Sequence, residues 1–193
     1  MGRQDCEVKR QYSYQDYLHW SNEERFELID GVPYNMSPSP SRKHQQILGE
    51  LVTEFTSYLR GKPCGAYVAP FDVRLFAEGK TDDEILNVVQ PDISVICDPN
   101  KLDDKGCKGS PDLIIEILSP STGKIDRWVK YKLYERAGVK EYWLVEPTNS
   151  TIEVFILNQD GHFELNGVFG KEDKVTVGLF DHLIIDLEII FKE

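Results

Sequence analysis

Short apolar runs bounded by turn-forming residues are the clearest pattern in residues 91–146. The runs at 93–97 and 113–118 are rich in β-branched residues and too short for typical helices, so they predict two strands. A third strand is predicted over residues 139–145, and a helix over residues 123–137 separates it from the second strand. The local order is therefore strand, loop, strand, helix, strand.

The predicted helix over residues 123–137 ends at Gly138, since glycine commonly follows the last turn of a helix. Asp126, Lys130 and Tyr134 are spaced four residues apart, which places them along one helical face. A cation therefore lies one turn from a carboxylate, on a helix that follows the strand containing Glu116.

The rest of the chain is divided into similar short elements. Asp30 and Gly31 predict the turn of a hairpin over residues 26–34, and an apolar stripe predicts a helix over residues 41–60. Further elements are expected as a short helix near 13–20, strands over 65–69, 72–77, 151–157 and 163–177, loops over 78–87 and 98–110, and a strand with a short helix over 183–191. No internal repeat or low-complexity segment interrupts this pattern.

Glu116 stands out because it is a carboxylate inside an otherwise apolar strand. Side chains alternate across a strand, so Glu116 shares a face with Ile114 and Leu118. A buried carboxylate without a partner is costly, or its pKa rises until the group is neutral. Glu116 therefore requires a cation, a metal ion or a hydrogen-bond network.

Several motifs in residues 91–147 occur together in one known family. They are Asp92 directly after a proline, Glu116 in the sequence E-x-L-S-P-S-T, the helix sequence D-x-x-x-K-x-x-x-Y, and the closing sequence G-V-x-E-Y-W-L-V-E-P. In these motifs the chain resembles the Uma-type restriction endonuclease family of the PD-(D/E)XK nuclease superfamily. Residues 26–31 and the stretch from Ser37 to His44 also match the usual N-terminal half of that family, more loosely.

The resemblance implies both a fold class and a reaction. The implied fold is α/β, with a restriction-endonuclease-like mixed central β-sheet flanked by helices and with extra antiparallel strands. The implied reaction is endonucleolytic hydrolysis of phosphodiester bonds in DNA. Mg²⁺ is the expected cofactor and Mn²⁺ is expected to substitute for it, since hard divalent cations prefer oxygen ligands.

Asp92, Glu116 and Lys130 are the catalytic residues that the resemblance implies, with Asp92 and Glu116 as metal ligands. In the common superfamily pattern a lysine follows the glutamate by two positions, but Leu118 occupies that position here. The Uma-type family places its lysine on the following helix, at the position of Lys130. Asp112 is the alternative to Asp92, because it also follows a proline.

Further side chains are candidates for supporting roles. They are Glu27, Glu50, Gln90, Asp126, Tyr134 and, as the alternative to Lys130, Lys132. Structural interpretations stand beside these roles. Glu27 also fits a solvent-exposed position or a structural salt bridge, and Glu50 fits a solvent-exposed flank of its helix. Tyr134 fits a packing residue, and Asp126 fits an exposed ion pair with the lysine one turn away. His44, near the start of the predicted long helix, is expected to be a packing or capping residue.

The composition is that of a globular protein. Its 193 residues suffice for one sizeable core, so we expect a single domain over residues 1–193, with polar residues 1–12 frayed. No apolar run approaches the ~20 residues of a membrane helix, and the N-terminus lacks an apolar signal core, so no membrane partner is expected. The four cysteines contain no CxxC pair, so reduced thiols in the cytoplasm are the expected state.

The formal net charge of −11 bears on nucleic-acid binding. Nonspecific binding depends on basic side chains that displace counterions, so DNA binding is expected to be weak without metal. The charge and Leu118 keep two alternatives open: a catalytically inert nuclease-like binding or assembly module, and a metal-dependent hydrolase with another substrate. A homodimer is expected, since two symmetric sites most simply cut both strands of a duplex.

Overall fold

The computed structural model describes residues 10–20, 25–36 and 40–192 of the chain. Most of the N-terminal stretch expected to fray, and three residues of the loop before the long helix, lie outside these ranges. Residues 10–12 are described, and the backbone N–H of Tyr12 donates to the carbonyl of Gly31 at 2.9 Å. The chain at Tyr12 is therefore paired with the hairpin turn.

The described strands are numbered in chain order. They are β1 (Phe26–Ile29), β2 (Val32–Asn35), β3 (Gly65–Val68), β4 (Val73–Arg74), β5 (Val88–Val89), β6 (Ile93–Ile96), β7 (Leu102–Asp103), β8 (Gly106–Lys108), β9 (Leu113–Ile117), β10 (Glu141–Glu146), β11 (Thr151–Leu157), β12 (Phe163–Gly170), β13 (Lys174–Thr176) and β14 (Ile184–Asp186). The helices are α1 (Tyr14–Tyr17), α2 (Arg42–Leu59), a 3₁₀ turn (Pro99–Lys101), a π-helical segment (Ile125–Lys130), α3 (Tyr131–Ala137) and α4 (Leu187–Ile190).

The central sheet has six strands in the order β12-β11-β10-β9-β6-β3. Strands β9 and β10 run parallel and the other neighbours run antiparallel, so the sheet is mixed. Helix α2 packs on one face of this sheet and α3 on the other. The expected mixed central sheet flanked by helices is confirmed.

Helix α2 is amphipathic, and its apolar stripe forms much of one core. Ile47, Leu51, Phe55 and Leu59 are all buried, and the Phe55 ring meets the ring of Trp143 on β10 edge to face at 6.0 Å between centroids. The stripe repeats every three or four residues, which is the spacing of one helical face. Burial of this face fixes the N-terminus of α2 above the end of the central sheet where β6 begins.

The extra strands form a second six-stranded sheet in the order β2-β1-β5-β4-β8-β7. The β1–β2 hairpin turns at Asp30 and Gly31, whose φ angles of 49° and 76° suit a tight two-residue hairpin turn. The predicted loop over residues 98–110 instead contains the 3₁₀ turn and the short hairpin β7–β8. These strands were not expected because each is only two or three residues long.

The helix expected over residues 123–137 is not α-helical throughout. Ile125–Lys130 is π-helical and α3 follows directly, ending at Gly138 with φ of 77°. Apolar spacing does not determine which carbonyl each N–H bonds, so the π-helical register was not predictable from the pattern. The segment still brings Asp126 and Lys130 together, with 3.5 Å between Oδ1 and Nζ.

Cys64 and Cys97 form a disulfide, which corrects the expectation of reduced thiols. Gly65 pairs with Ile96 in the antiparallel β3–β6 register. Cys64, which precedes β3, therefore lies opposite Cys97, which follows β6. Sequence spacing alone could not reveal this register. Cys107 is a buried free thiol, and burial raises its pKa to about 12.

In the described ranges, no helix combines the length and the apolar character needed to cross a membrane.

Candidate active site

A cavity of about 530 Å³ lies at one end of the central sheet. Residues from both six-stranded sheets line it, together with the first turn of α2 and the π-helical segment. Asp92, Glu116 and Lys130 are all among the lining residues. The fold therefore brings the three predicted catalytic side chains into one cavity.

Asp92 directly precedes β6, and its carboxylate is held by two donors on one oxygen. Its Oδ2 accepts from the backbone N–H of Ile117 at 2.7 Å and lies 3.2 Å from Nε2 of His44. Ile93 pairs with Ile115, so the antiparallel register places Asp92 opposite Glu116, one position beyond the last pair. The two candidate metal ligands thus lie on neighbouring strands at the same level.

Glu116 lies in β9 and its side chain is buried. Its Oε1 accepts from Nζ of Lys130 at 3.0 Å and from the hydroxyl of Tyr134 at 2.8 Å. The alternation of the strand directs Glu116 toward the π-helical segment and α3, which carry Lys130 and Tyr134 respectively. The carboxylate that looked unpaired in sequence has a cation and a hydroxyl as partners.

Lys130 contacts three carboxylates at once. Its Nζ lies 2.8 Å from Oε1 of Glu27, 3.0 Å from Oε1 of Glu116 and 3.5 Å from Oδ1 of Asp126. Lys130 and its three partners are all buried. The Asp126–Lys130 contact is therefore not the exposed helix pair that the spacing alone also allowed.

The cluster holds more carboxylates than ammonium groups, and the pKa values reflect this. Burial raises the pKa of Glu116 well above its usual value, Lys130 opposes that rise, and Asp126, Asp92 and Glu27 add to it. Burial alone would lower the pKa of Lys130, but the carboxylates around it hold that pKa well above its usual range. The rise in the pKa of Glu116 therefore comes mainly from burial, and the rise in the pKa of Lys130 comes from the carboxylates that surround it.

Glu27 is buried and paired, so of the positions that the sequence left open the solvent-exposed one is wrong. Besides its contact with Lys130, Oε1 of Glu27 accepts from the backbone N–H of Gln90 at 2.8 Å. The Gln90 side chain is fixed in turn, because its amide nitrogen donates to Oδ1 of Asp72 at 2.8 Å and Arg25 donates to its amide oxygen. Gln90 therefore supports Glu27 through its backbone.

Three of the candidate residues do not line the cavity: Tyr134, which still donates to Glu116, and Glu50 and Lys132, which do not contact it. Oε1 of Glu50 lies 2.6 Å from Nζ of Lys192, and Glu50 is not among the lining residues. The Lys132 side chain is 65% exposed and pairs with Glu135 at 2.9 Å. Their positions around the helices turn both away from Glu116, so Lys130 and not Lys132 is the lysine beside the carboxylates.

Asp112, the alternative to Asp92, also lies elsewhere. Its Oδ1 lies 2.7 Å from Nζ of Lys140 and its Oδ2 accepts from the backbone N–H of Cys97, at the far end of β6. Leu118 does line the cavity, where the common superfamily pattern places a lysine. The ammonium of Lys130 reaches Glu116 from the following helical segment instead.

His44 is the site residue whose position the sequence did not reveal. It was expected as a packing or capping residue, yet its Nε2 faces Asp92 and its ring lines the cavity. Burial lowers the pKa of His44, but the hydrogen bond and charge of Asp92 outweigh that effect and raise it. Its Nδ1 is buried without a hydrogen-bond partner. The sequence offered one signal for this position. Ser41 caps α2 by accepting from the His44 N–H, which places His44 in the first turn of that helix.

The donors in the cavity fit a hard divalent cation held by few protein ligands. Within the described residues, no group of three or more His, Cys, Asp or Glu side chains is arranged to enclose a metal ion. Mg²⁺ is typically bound by one or two carboxylates together with waters and substrate phosphates, so such an enclosure is not required. Asp92 and Glu116 would be the ligands, since both line the cavity and the β6–β9 register places the two residues opposite each other.

Comparisons with known proteins show the family and the fold of the chain. The family model Uma2, described as "Putative restriction endonuclease", matches residues 14–188. An uncharacterized protein of Synechocystis sp. PCC 6803 is 32% identical over 152 residues, which cover 77% of this chain and 76% of that protein. The crystal structure of a "putative nuclease belonging to DUF820" from Anabaena variabilis has 23% identity and a TM-score of 0.72, over 93% of this chain and 97% of that one. This last likeness shows a shared fold.

Proposed function

Because the chain belongs to the Uma2 family of restriction endonucleases, we propose that it is a Mg²⁺-dependent endonuclease that hydrolyses phosphodiester bonds in DNA. The observation that carries the proposal is the meeting of Asp92, Glu116 and Lys130 in one cavity. Lys130 in particular lies within hydrogen-bond distance of Glu116, although it comes from a different element than in the common superfamily pattern.

The chemistry requires these residue types. In hydrolysis a water oxygen bonds to phosphorus while the bond to the leaving oxygen breaks, and negative charge develops on the phosphate. When bound, Mg²⁺ supplies positive charge against that phosphate and activates the water. Asp92 and Glu116 would hold the ion, and the Lys130 ammonium would donate hydrogen bonds to the water or to a phosphate oxygen. Asp126, Glu27 and Tyr134 would keep Lys130 and Glu116 in place.

The substrate and setting extend the same proposal. Arg25 and Lys43 line the cavity, where they would contact a phosphate chain that enters it. Affinity for DNA without metal is expected to be low, since the chain carries a net charge of −11. A homodimer and a cytoplasmic location remain predictions. The disulfide bears on the cytoplasmic location, because disulfides are uncommon in the cytoplasm.

A plasmid-nicking assay with Mg²⁺ tests the proposal. Glu116→Gln and Asp92→Asn should each reduce nicking by about 100-fold or more, while far-UV circular dichroism stays unchanged. Glu50→Gln and Lys132→Gln are the matched controls and should cut like the wild type, since both side chains lie outside the cavity. Wild-type cleavage by Glu116→Gln would contradict the proposal. Absence of both cleavage and metal binding in the wild type would favour the inert module.

A further inference from the structure

Lys130 occupies an unusual position for an ammonium group. Its Nζ has oxygens of Glu27, Glu116 and Asp126 at 2.8, 3.0 and 3.5 Å, and its side chain is only 6% exposed. These carboxylates come from β1, β9 and the π-helical segment. Lys130 therefore sits where oxygen ligands from three separate elements converge.

A divalent cation in the cavity would bind one of the carboxylates that also contact Lys130. Glu116 is the shared carboxylate, because its Oε1 accepts from Lys130 and the β6–β9 register places the residue opposite Asp92. A dication beside an ammonium is repelled by it, and the repulsion is stronger near buried groups such as Glu116 and Lys130 than in bulk water. Full engagement of Glu116 by a metal ion and by Lys130 at the same time is therefore unfavourable.

We propose that Lys130 competes with the divalent cation for Glu116 and so sets the metal affinity of the site. When metal binds, Glu116 turns toward the ion, and Lys130 stays paired with Glu27 and Asp126. The Tyr134 hydroxyl donates to the same oxygen of Glu116 as Lys130 does, so it would limit how far the carboxylate moves in this exchange. The inference rests on the proposed function, because it concerns the metal that the nuclease would use.

Mn²⁺ titration calorimetry of Lys130→Met tests the competition without reference to cleavage. Methionine keeps the apolar stem and removes the charge, so Mn²⁺ should bind about tenfold more tightly or better, within the usual range of coupling between sites. Lys132→Met is the matched control, since Lys132 is two residues away and largely exposed. Its Mn²⁺ affinity should equal that of the wild type.

Thermal unfolding of the same proteins covers the case in which Lys130→Met folds poorly. Loss of the ammonium leaves buried carboxylates unpaired, so Mn²⁺ should raise the Tm of Lys130→Met by more than it raises that of the wild type. An equal or smaller rise, or equal or weaker Mn²⁺ affinity, overturns the competition while the proposed function stands, provided that the wild type binds Mn²⁺. Absence of Mn²⁺ binding in both proteins overturns the competition and the metal-dependent function together.

Discussion

The contacts of single side chains in the cavity separate candidate ligands from the residues that hold them. Glu116 and Asp92 each have one oxygen that accepts two hydrogen bonds, and both sets of donors include a side chain from a helical element. For Asp92 that side chain is His44, on the first turn of α2. Its position indicates that His44 orients the carboxylate, since carboxylate ligands are usually fixed by such outer hydrogen bonds.

Substitution of His44 tests this positioning role. His44→Leu should weaken Mn²⁺ binding and slow nicking by about 10- to 100-fold, because Asp92 loses a donor. His44→Gln should recover part of both, since the amide nitrogen of glutamine can reach a similar position to Nε2. Calorimetry and the nicking assay measure the two effects, and unfolding curves control for stability. Wild-type Mn²⁺ affinity in His44→Leu would refute the role.

The site residues differ in how far sequence could identify them. Glu116 was conspicuous because its neighbours in the strand are apolar, and Lys130 because it matches a motif. The contacts of Glu27 and His44 were not predictable, because their partners are far away in the chain. Glu27 contacts Lys130, and His44 contacts Asp92, only when the sheets and α2 are assembled. Contacts of this kind leave no local pattern.

Elements were predictable where their pattern was long and regular. The α2 helix, the β1–β2 hairpin and the β9–α3–β10 order all follow from apolar spacing and turn residues. The π-helical register of Ile125–Lys130 does not, and neither do the short strands β7 and β8 of the second sheet. π-helical segments often occur at functional sites, and this one carries both Asp126 and Lys130.

Two glycines at element ends test how backbone geometry supports these elements. Gly138→Ala should destabilise the protein by about 1–2 kcal/mol, because its φ of 77° is strained for alanine. Apart from its chain neighbours and its own helix backbone, no atom of the described residues lies within 4 Å of the added Cβ, so a clash adds nothing to this loss. Gly106→Ala should cost clearly more, because its Cβ would lie 2.2 Å from the backbone oxygen of Asp72. Urea unfolding at constant m-value measures both losses. Equal losses would show that the contact at Gly106 is relieved easily.

At the scale of the whole molecule, two sheets and two helical segments complete one cavity. The central sheet supplies Asp92 and Glu116, the second sheet supplies Glu27, and the π-helical segment supplies Lys130. The resemblance of the sequence to a nuclease family anticipated the central sheet, because its motifs lie there. The second sheet and the disulfide between Cys64 and Cys97 were not anticipated, because both depend on the pairing of strands from distant parts of the chain.

The disulfide should contribute to stability and not to the site. Cys97 follows β6 while Asp92 precedes it, so the bond lies at the opposite end of that strand. Cys64→Ser should lower the free energy of unfolding by about 2–4 kcal/mol and leave the nicking rate unchanged. Mass spectrometry of alkylated, unreduced protein checks the bond itself. Alkylation of both cysteines in the native protein would contradict it.

The central claim is that Asp92 and Glu116 bind a divalent cation beside Lys130. A crystal soaked in Mn²⁺ tests it most directly through anomalous difference density. The account predicts one peak that lies about 2.0–2.5 Å from a carboxylate oxygen of each residue. A peak elsewhere, or no peak between these carboxylates at saturating Mn²⁺, would contradict it.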